Sequence, residues 1–307
     1  MSDRWDPLAL PSQDGRTVVV TGGNAGVGYF TAEQLARAGA RVVMAARSAE
    51  RARAAMAAIR RQVPDAALDT VALDLTSLAS VARAADELRT LRPLHALVNN
   101  AGLVVSPRRR ETTADGLELL TGGNFFGHFA LTALLWPALA EDARVVGLGS
   151  MSTRMSRLDP GDLQSVRRYS PFRAYAMSKH LVHGFAFELD RRLRATGSGR
   201  ASLLAHPGFA VTGLAARRPG VTDLPTGKRA TERVLFSLVG QGKDSGAWPV
   251  VRAVADPDAE SGTFYGPSRV LAGHPVPLAP VVSSASPVFG AQLWSLAERL
   301  TGVRFEV

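Results

Sequence analysis

The chain contains no cysteine, which excludes disulfide bonds and thiolate-bound metal sites. It also lacks an apolar run long enough to span a bilayer, since the strongest one begins at Phe125 and stops at Pro137. Residues 1–7 are mostly polar and have no apolar core of the kind that signal peptides contain. These absences predict a cytoplasmic protein without a membrane span.

Lysine is scarce, yet the chain is strongly basic. Of its 36 basic residues 33 are arginines, and the formal net charge is +9 at pH 7. The arginines are interleaved with acids in segments of helical pattern such as 47–61 and 188–194, and short runs such as 108–110 fall in predicted loops. No basic stripe interleaved with aromatic residues occurs. We therefore expect a small-molecule ligand and no nucleic-acid partner.

Short β-branched segments alternate with longer alanine- and leucine-rich segments over the first two-thirds of the chain. This alternation predicts an α/β fold: a doubly wound parallel sheet of the Rossmann type in three αβα layers. The predicted strands are 17–21, 41–45, 68–73, 94–99, 143–149, 200–205 and 262–265. The predicted helices are 26–38, 49–62, 77–91, 112–140, 173–195, 226–240 and 288–300. A single domain is expected over 1–307, with an N-terminal arm (1–13), a substrate loop (207–227) and a C-terminal extension (266–307).

One tyrosine and one lysine form an informative pair. Tyr175 and Lys179 are four residues apart, and residues at that spacing share one face of a helix. With three lysines and four tyrosines in the chain, chance would produce about 0.04 such pairs. A phenol with its ordinary pKa of about 10 exchanges protons poorly at neutral pH, and a neighbouring ammonium lowers that pKa. The pair therefore predicts a general acid–base.

Glycine-rich or polar turns follow three of the predicted strands. Thr21–Gly28 has the spacing Gly-x-x-x-Gly-x-Gly and joins the first strand to the first helix, a context that suits a dinucleotide diphosphate. Asn99–Gly102 ends the fourth strand with small residues against which a cofactor can lie. Asp74 follows the third strand and either contacts the adenine or caps the helix from Ser77. Together these turns predict a dinucleotide site.

The end of the second predicted strand bears on which dinucleotide binds. An acid near this position binds the ribose hydroxyls of NAD, whereas a basic residue suits the 2′-phosphate of NADP. The chain has Ala46, Arg47 and Ser48 there, with no acid. Arg47 can form a forked contact with phosphate, with Ser48 as a hydroxyl donor; the alternative is that Arg47 is one surface arginine among many. The pattern favours NADP(H).

Taken together, these motifs resemble the short-chain dehydrogenase/reductase superfamily, over residue 14 to about residue 300. The matching motifs, in the family's order, are Thr21–Gly28, Asp74, Asn99–Gly102, Asn124, Ser150, Tyr175-x-x-x-Lys179 and Pro207-Gly208. Within the superfamily, several stretches are similar to the retinol-dehydrogenase-like and related bacterial reductases. They are Asn124–Phe129, Asp162–Gln164, Arg168–Lys179 and His206–Gly208 with Thr212.

The resemblance implies roles for four residues. Tyr175 is the proton donor or acceptor, and Lys179 lowers the pKa of that phenol and holds the nicotinamide ribose. Ser150 hydrogen-bonds the substrate oxygen, and Asn124 anchors a water that connects Lys179 to solvent. The chemistry agrees, because a phenol and a hydroxyl aimed at a carbonyl oxygen supply a proton and stabilise its developing charge. The implied cofactor contacts are Gly22, Asn24, Ala25, Gly26, Val27, Gly28, Arg47, Ser48, Asp74, Leu75, Asn100, Ala101, Gly102, Tyr175, Lys179, Pro207, Gly208 and Thr212.

Ser152 competes with Ser150 for the family position. Counting back from Tyr175 without a gap selects Ser150, directly after the fifth predicted strand, and Ser152 is then a turn residue.

The chain departs from the family pattern at a few glycines. Gly23 and Ala25 stand where relatives often have alanine and serine, and Gly149 stands where a second serine is common. Gly122-Gly123 precedes Asn124 inside a predicted helix. This pair predicts a bend that can shift Asn124.

Two histidines and several aromatic residues are assigned to packing. His180 and His183 lie one turn apart, a spacing that metal sites use, but no third ligand is placed beside them. We therefore expect helix-packing histidines and no metal. The aromatic residues expected in the core or at a subunit contact are Phe125, Phe126, Phe129, Phe185 and Phe187.

These features predict an NADP(H)-dependent oxidoreductase that interconverts a ketone or aldehyde with its alcohol, acting as a reductase. The substrate pocket is expected between 103–112, 151–172 and 209–225. Its apolar lining suits a hydrophobic substrate and includes Val104, Met151, Phe172 and Phe209.

Two other functions fit the same fold. One is an epimerase or dehydratase without net redox change, and the other is a cofactor-sensing regulator. The intact set of asparagine, serine, tyrosine and lysine favours an enzyme. A homo-oligomer is compatible with the family, but the extension 266–307 can equally cover the usual contact surface, so the oligomeric state stays open.

Overall fold

A central sheet carries the fold. Residues 5–307, the part that the computed structural model describes, contain ten strands. They are β1 (Thr17–Thr21), β2 (Arg41–Ala46), β3 (Leu68–Ala72), β4 (Leu94–Asn99), β5 (Leu139–Leu148), β6 (Ala201–Ala205), β7 (Ala210–Val211), β8 (Gln241–Gly242), β9 (Phe264–Pro267) and β10 (Pro275–Pro277). Eight form the central sheet in the order β10-β9-β6-β5-β4-β1-β2-β3, and β7 pairs with β8 separately.

The predicted α/β fold class is confirmed, with one correction at an edge of the sheet. All neighbouring strands of the central sheet are parallel except β10, which is antiparallel to β9. This edge strand contains Pro275 and Pro277, and proline is tolerated at an edge because no neighbour needs its missing N–H.

Helices cover both faces of the sheet, as the three-layer prediction requires. They are α1 (Gly26–Arg37), α2 (Ala49–Arg60), α3 (Leu78–Arg89), α4 (Leu119–Thr121), α5 (Gly127–Leu135), α6 (Ser152–Met155), α7 (Pro171–Thr196), α8 (Thr226–Phe236), α9 (Lys243–Gly246), α10 (Trp248–Ala255) and α11 (Pro287–Thr301). The buried residues of α1, α2 and α10 form one apolar core, and those of α3, α5, α7 and α11 form the other. No helix within residues 5–307 is long and apolar enough to cross a membrane.

The strand β1 shows why the sheet is buried on both sides. All five of its residues are buried. Successive side chains of a strand point to opposite faces, and accordingly Val19 belongs to one core while Val18 and Val20 belong to the other. A continuous apolar run is typical of a parallel strand covered by helices.

The predicted helix 112–140 is wrong in its first turns and in its middle. Residues 112–118 form a turn, and the carboxylate of Glu118 caps α4 by accepting two backbone N–H bonds of 3.0 and 2.8 Å. A π-helical turn over Gly122–Phe126 then separates α4 from α5, and a 3-10 turn through Pro137 leads into β5. The bend predicted from the paired glycines is this π-helical turn.

The C-terminal extension covers the α7 face of the domain. The α11 helix packs on α7, and Trp294 lies 5.5 Å from Phe129 and 5.7 Å from Phe185 between ring centroids. Phe305 stacks on Trp294 at 4.7 Å. The core assignment is confirmed for the five predicted phenylalanines, of which Phe187 is only partly buried.

Candidate active site

The sheet order creates a crevice at the carboxyl end of β1. The chain runs outward from β1 through β2 to β3 and then returns to β4 on the other side of β1. The loops that follow β1 and β4 therefore diverge, and ligands of doubly wound folds bind in such a crevice. The two predicted cofactor turns, Thr21–Gly28 and Asn99–Gly102, are these loops.

The Thr21 hydroxyl joins the two loops. Its oxygen accepts hydrogen bonds from the N–H groups of Asn100 and Ala101, at 3.0 and 2.9 Å. The Asn100 side chain returns the contact by donating to the Thr21 carbonyl at 2.7 Å. The glycine-rich turn and the end of β4 thus form one hydrogen-bonded unit.

Close approach explains two of the turn's glycines. A Cβ on Gly28 would lie 2.3 Å from Asn100 Nδ2 and 2.6 Å from the Gly22 carbonyl oxygen. Gly22 has a φ of +66°, and a Cβ there would lie 3.1 Å from the Cα and Cβ of Ala101. Side chains at either position would separate the two loops, so both must be glycine. Gly23 is also confined, because a Cβ there would meet the Met44 side chain at 2.8 Å.

The residues around the turn leave the start of α1 without a side-chain cap. Ala25 is the N-cap residue and makes no side-chain hydrogen bond, and the first turn, which includes Gly26, Val27 and Gly28, contains no acid. Asn24 precedes them in the loop. The first N–H groups of α1 are therefore available to a bound anion.

The predicted NADP-selecting residues lie where β2 ends. Arg47 is exposed, and within residues 5–307 it forms no ion pair. Ser48 caps α2 by accepting a hydrogen bond from the Arg51 N–H at 3.2 Å, which leaves its hydroxyl hydrogen to donate elsewhere.

Asp74 does not cap α3, so that alternative is wrong. The N-cap residue of α3 is Ser77, which accepts from the Ser80 N–H. Asp74 instead accepts from the backbone and hydroxyl of Thr76, at 3.0 and 2.7 Å, and fixes the turn after β3. The neighbouring Leu75 is buried, and its carbonyl oxygen lies 2.3 Å from where a Cβ on Gly127 would be.

Tyr175 and Lys179 lie on α7, as predicted, and Lys179 is buried beneath the tyrosine ring. Lys179 Nζ lies 5.9 Å from the ring centroid of Tyr175 and donates to the Leu148 carbonyl at 2.7 Å. Burial lowers the pKa of Lys179 to about 8. The ammonium also lies beside the β4 loop, 3.7 Å from the Cβ position of Gly102.

The expectation that the pKa of Tyr175 is lowered by the ammonium is wrong. Burial raises the pKa of Tyr175, and the only opposing effect is a hydrogen bond with the Ser150 side chain. The ammonium of Lys179 is bonded to Leu148 rather than to the phenol, so it does not offset burial. The phenol therefore keeps its proton at neutral pH.

Asn124 lies in the π-helical turn and clips the β4 loop to α7. Its Oδ1 accepts from the Leu103 N–H at 2.7 Å, and its Nδ2 donates to the Leu103 carbonyl at 3.1 Å and to Ser178 Oγ at 2.9 Å. The bend displaces the helix but leaves the Asn124 amide fully bonded. Asn124 Oδ1 lies 3.3 Å from the position that a Cβ on Gly102 would occupy, which Lys179 also approaches.

His128 is a site residue that sequence reasoning missed. Its Nδ1 lies 3.0 Å from the Asn124 carbonyl oxygen and its Nε2 lies 2.9 Å from Thr21 Oγ1. Because a carbonyl only accepts, Nδ1 carries the proton and Nε2 accepts from the Thr21 hydroxyl. Burial lowers the pKa of His128 to about 4, so the ring is neutral. Its i+4 spacing from Asn124 was the available signal.

Ser150 rather than Ser152 faces Tyr175. Ser150 follows β5, and its side chain lies close enough to the Tyr175 phenol to lower the pKa of that phenol, whereas Ser152 begins α6 and its hydroxyl is buried without a partner among the described residues. The backbone N–H of Ser150 donates to His183 Nε2 at 3.3 Å. A Cβ on Gly149 would lie 2.5 Å from that nitrogen, which explains why serine is replaced there.

The histidines of α7 pack the helix, as predicted. His180 lies 2.7 Å from Ser284 Oγ and 2.8 Å from the Ser156 carbonyl oxygen, and His183 is fully buried. From Trp5 to Val307 no group of three or more metal-ligating side chains is assembled.

The loop after β6 is fixed by two arginines, Arg229 and Arg218. Pro207 and Gly208 follow β6, and Gly208 has a φ of +66° and abuts the Leu271 carbonyl. The buried guanidinium of Arg229 donates to the carbonyls of Thr212, Ala215 and Thr222, at 3.5, 3.2 and 2.6 Å.

The second arginine of this loop, Arg218, forms an ion pair with the buried carboxylate of Glu33 on α1, at 2.6 Å. The loop is thereby tied to the helix that begins at the glycine-rich turn.

Two of the three predicted pocket segments contact each other above the sheet. Ser106 Oγ donates to the Pro171 carbonyl at 2.9 Å, and Tyr169 OH donates to the Pro107 carbonyl at 2.8 Å. Several apolar side chains near the site are exposed to an unusual extent. They are Val104 (70%), Val105 (89%), Phe172 (49%) and Phe209 (39%), and Met151 is half-buried.

Comparisons with known proteins identify the family of this chain. The sequence model of the short chain dehydrogenase family matches residues 16–219. Polyprenol dehydrogenase of Mus musculus is 38% identical over 304 residues, which cover 96% of this chain and 87% of the relative. Retinol dehydrogenase 13 of Homo sapiens is 34% identical over 304 residues, with coverages of 96% and 88%.

Solved structures show the same fold. The crystal structure of an uncharacterised protein from Mycobacterium Paratuberculosis has a TM-score of 0.81 and 36% identity, and covers 99% of this chain and 100% of that one. A short chain dehydrogenase from Burkholderia cenocepacia J2315 in complex with NADP has a TM-score of 0.63 at 24% identity, with coverages of 85% and 98%. The chain belongs to the short-chain dehydrogenase/reductase superfamily, an oxidoreductase family, in the branch that contains the retinol dehydrogenases.

Proposed function

We propose that the protein is an NADP(H)-dependent oxidoreductase that reduces a hydrophobic ketone or aldehyde to its alcohol. The observation that supports this most is the convergence of three side chains at the carboxyl end of β5. Ser150 lies beside the Tyr175 phenol, Lys179 lies under the same ring, and Gly102 brings the β4 loop against Lys179. A proton donor, a second hydroxyl and a buried cation thus share one edge of the proposed dinucleotide crevice.

The residues of the crevice fit a dinucleotide. The glycine-rich turn admits no Cβ at Gly22 or Gly28, and the first turn of α1 has neither a side-chain cap nor an acid. Asn100, Ala101 and Gly102 would form the opposite wall. When bound, the nicotinamide supplies or accepts the hydride, and the remaining chemistry is that of the chain's own side chains.

The protonation states support the reductive direction. Tyr175 keeps its proton because burial raises its pKa, so the phenol donates that proton to the carbonyl oxygen of the substrate. The Ser150 hydroxyl donates to the same oxygen and stabilises its negative charge. Lys179 is an ammonium below a pH of about 8 and is proposed to hold the nicotinamide ribose. Asn124 holds the surrounding loop and is proposed to anchor the water that connects Lys179 to solvent.

Replacing Gly28 with alanine should weaken NADPH binding by about tenfold or more and lower the free energy of unfolding by about 1–3 kcal/mol. The new Cβ would overlap Asn100 and force the two cofactor loops apart. Fluorescence titration and urea unfolding measure the two effects. Gly227→Ala is the matched control, since a Cβ there meets open space. Wild-type affinity in Gly28→Ala would mean that the dinucleotide binds elsewhere.

The preference for NADP(H) is assigned to Arg47 and Ser48, since no acid stands at the end of β2. Arg47→Gln should weaken NADPH binding by about 10- to 100-fold, because a charge-assisted contact with the 2′-phosphate is lost. The affinity for NADH should change little. Isothermal titration with both nucleotides measures the ratio, and Arg53→Gln on the exposed side of α2 is the control. An equal loss for both nucleotides would contradict the assignment.

The substrate is proposed to be an apolar carbonyl compound of the isoprenoid type. Val104, Phe172 and Phe209 expose apolar surface around the site, and such surface is typical of a binding groove for an apolar partner. Polyprenols and retinol, which the names of the relatives contain, are isoprenoid alcohols.

The test is to follow oxidation of NADPH and NADH against a panel of isoprenoid aldehydes, short aldehydes, ketones and quinones. Turnover that prefers NADPH and isoprenoid aldehydes is expected. Turnover only with NADH would overturn the cofactor assignment, and failure to bind either nucleotide would overturn the proposed function.

A further inference from the structure

Lys243, the first residue of α9, lies against the glycine-rich turn. Its Nζ is 3.8 Å and its Cδ 3.9 Å from the position that a Cβ on Gly26 would occupy. Gly26 has a φ of +62°, a conformation that favours glycine, so no side chain separates the ammonium from the start of α1. Lys243 thereby lies beside the proposed diphosphate position, although it is far along the chain from the turn itself.

The backbone of α9 is anchored to α1, and this contact fixes the position of the Lys243 backbone. Gln34 of α1 donates from Nε2 to the Asp244 carbonyl at 2.9 Å. The Asp244 carboxylate accepts from the Ala216 N–H at 3.2 Å, which ties α9 to the loop after β6. A short helix held on both sides delivers its lysine to one place, so the contact with Gly26 does not depend on a flexible segment.

The ammonium of Lys243 has no partner in the part of the chain that the structure describes. Its Nζ forms no hydrogen bond or ion pair there, although the side chain is half-buried. Burial lowers the pKa of Lys243, and the charge of Glu232 only partly offsets this effect. Glu232 itself accepts from the Gly213 N–H at 2.7 Å. A half-buried cation without a counter-ion gains more from a bound anion than a solvated one does.

We propose that Lys243 binds the diphosphate of the nicotinamide cofactor. This inference rests on the proposed function and adds a charged residue to a turn whose other contacts are backbone N–H groups. The diphosphate would lie between the first turn of α1 and the Lys243 ammonium, with Gly26 as the floor. Lys243 also links cofactor binding to the loop after β6, because Ala216 and Asp244 hold the same short helix.

Lys243→Met is the test variant, because methionine keeps the apolar stem and removes the charge. The dissociation constants of NADPH and NADH are measured by fluorescence titration at low and high salt. Both should rise by about 10- to 100-fold, the effect of one lost charge-assisted contact, and their salt dependence should become shallower. Lys243→Arg should restore most of the affinity. Lys228→Met, on the exposed face of α8, is the matched control and should bind as the wild type does.

The two nucleotides separate this inference from its rivals. An equal loss for NADH and NADPH supports a diphosphate contact, whereas a loss confined to NADPH would assign Lys243 to the 2′-phosphate and overturn the proposal. Unchanged affinity for both would also overturn it while leaving the proposed function intact. If the wild-type protein binds neither nucleotide, the proposed function itself fails.

A second measurement needs no variant. The chain has only three lysines, Lys179, Lys228 and Lys243. Reductive methylation followed by mass spectrometry reports the reactivity of each one, with and without NADH. Protection of Lys243 by NADH, with Lys228 reacting equally in both samples, is the expected result. Equal methylation of Lys243 in both samples would contradict the diphosphate contact.

Discussion

Replacing Tyr175 with phenylalanine should lower kcat by about 10²- to 10⁴-fold, the usual contribution of a positioned general acid. The variant keeps the ring that covers Lys179 and loses only the hydroxyl that lies beside Ser150. Nucleotide affinity should therefore fall much less than kcat does. Steady-state kinetics with the best substrate of the panel and NADPH titration measure the two quantities on one preparation.

Tyr265→Phe is the matched control for this variant. Tyr265 is another buried tyrosine whose pKa is raised by burial, but it lies in β9 and faces the core that α1, α2 and α10 form. Removing this hydroxyl should leave kcat within about twofold of the wild-type value. The loss of one hydrogen bond lowers the free energy of unfolding by about 1 kcal/mol and does not touch the reacting groups. If Tyr175→Phe retained the turnover of this control, another group would have to supply the proton.

The parts of the molecule that local sequence determines were predicted well. Glycine spacing at Thr21–Gly28 and buried runs such as that of β1 depend on backbone conformation and alternation, which neighbouring residues reveal. The i+4 spacing of Tyr175 and Lys179 likewise follows from helix geometry alone. Ser150 was chosen by counting from Tyr175, and its placement beside that phenol agrees.

The misses arise where distant segments decide the outcome. The helix prediction over 112–140 failed because Glu118 caps a later start and the glycines allow a π-helical turn. The contact of His128 with Thr21 and that of Lys243 with Gly26 leave no local motif, since only the fold brings these residues together. The direction of the Tyr175 pKa shift depends on burial and on the carbonyl that binds Lys179, neither of which is visible in a sequence.

Replacing Lys179 with methionine should abolish most activity while removing a pH-dependent term from stability. Burial lowers the pKa of Lys179 from 10.5 to about 8, so the folded protein holds this proton less tightly than the unfolded chain does. Between pH 8 and 10.5 the unfolded state binds more protons, and the free energy of unfolding therefore rises with pH by about 3 kcal/mol from this residue. Methionine does not titrate, so the variant lacks that rise.

Urea unfolding of the wild type and of Lys179→Met at several pH values between 7 and 10.5 isolates this contribution. All other groups titrate in both proteins, so the difference between the two curves belongs to Lys179. The rate of carbonyl reduction by the wild type should decline above a pH of about 8, where Lys179 loses the positive charge with which it is proposed to hold the nicotinamide ribose. If the free energies of unfolding of the two proteins changed with pH in parallel, burial would not lower the pKa of Lys179. A wild-type rate that does not change through pH 8 would mean that the reaction does not need the positive charge of Lys179. The expected result is that the free energy of unfolding begins to rise, and the rate begins to decline, at the same pH. Lys179 would then destabilise the fold at neutral pH and stay buried because the reaction needs its charge.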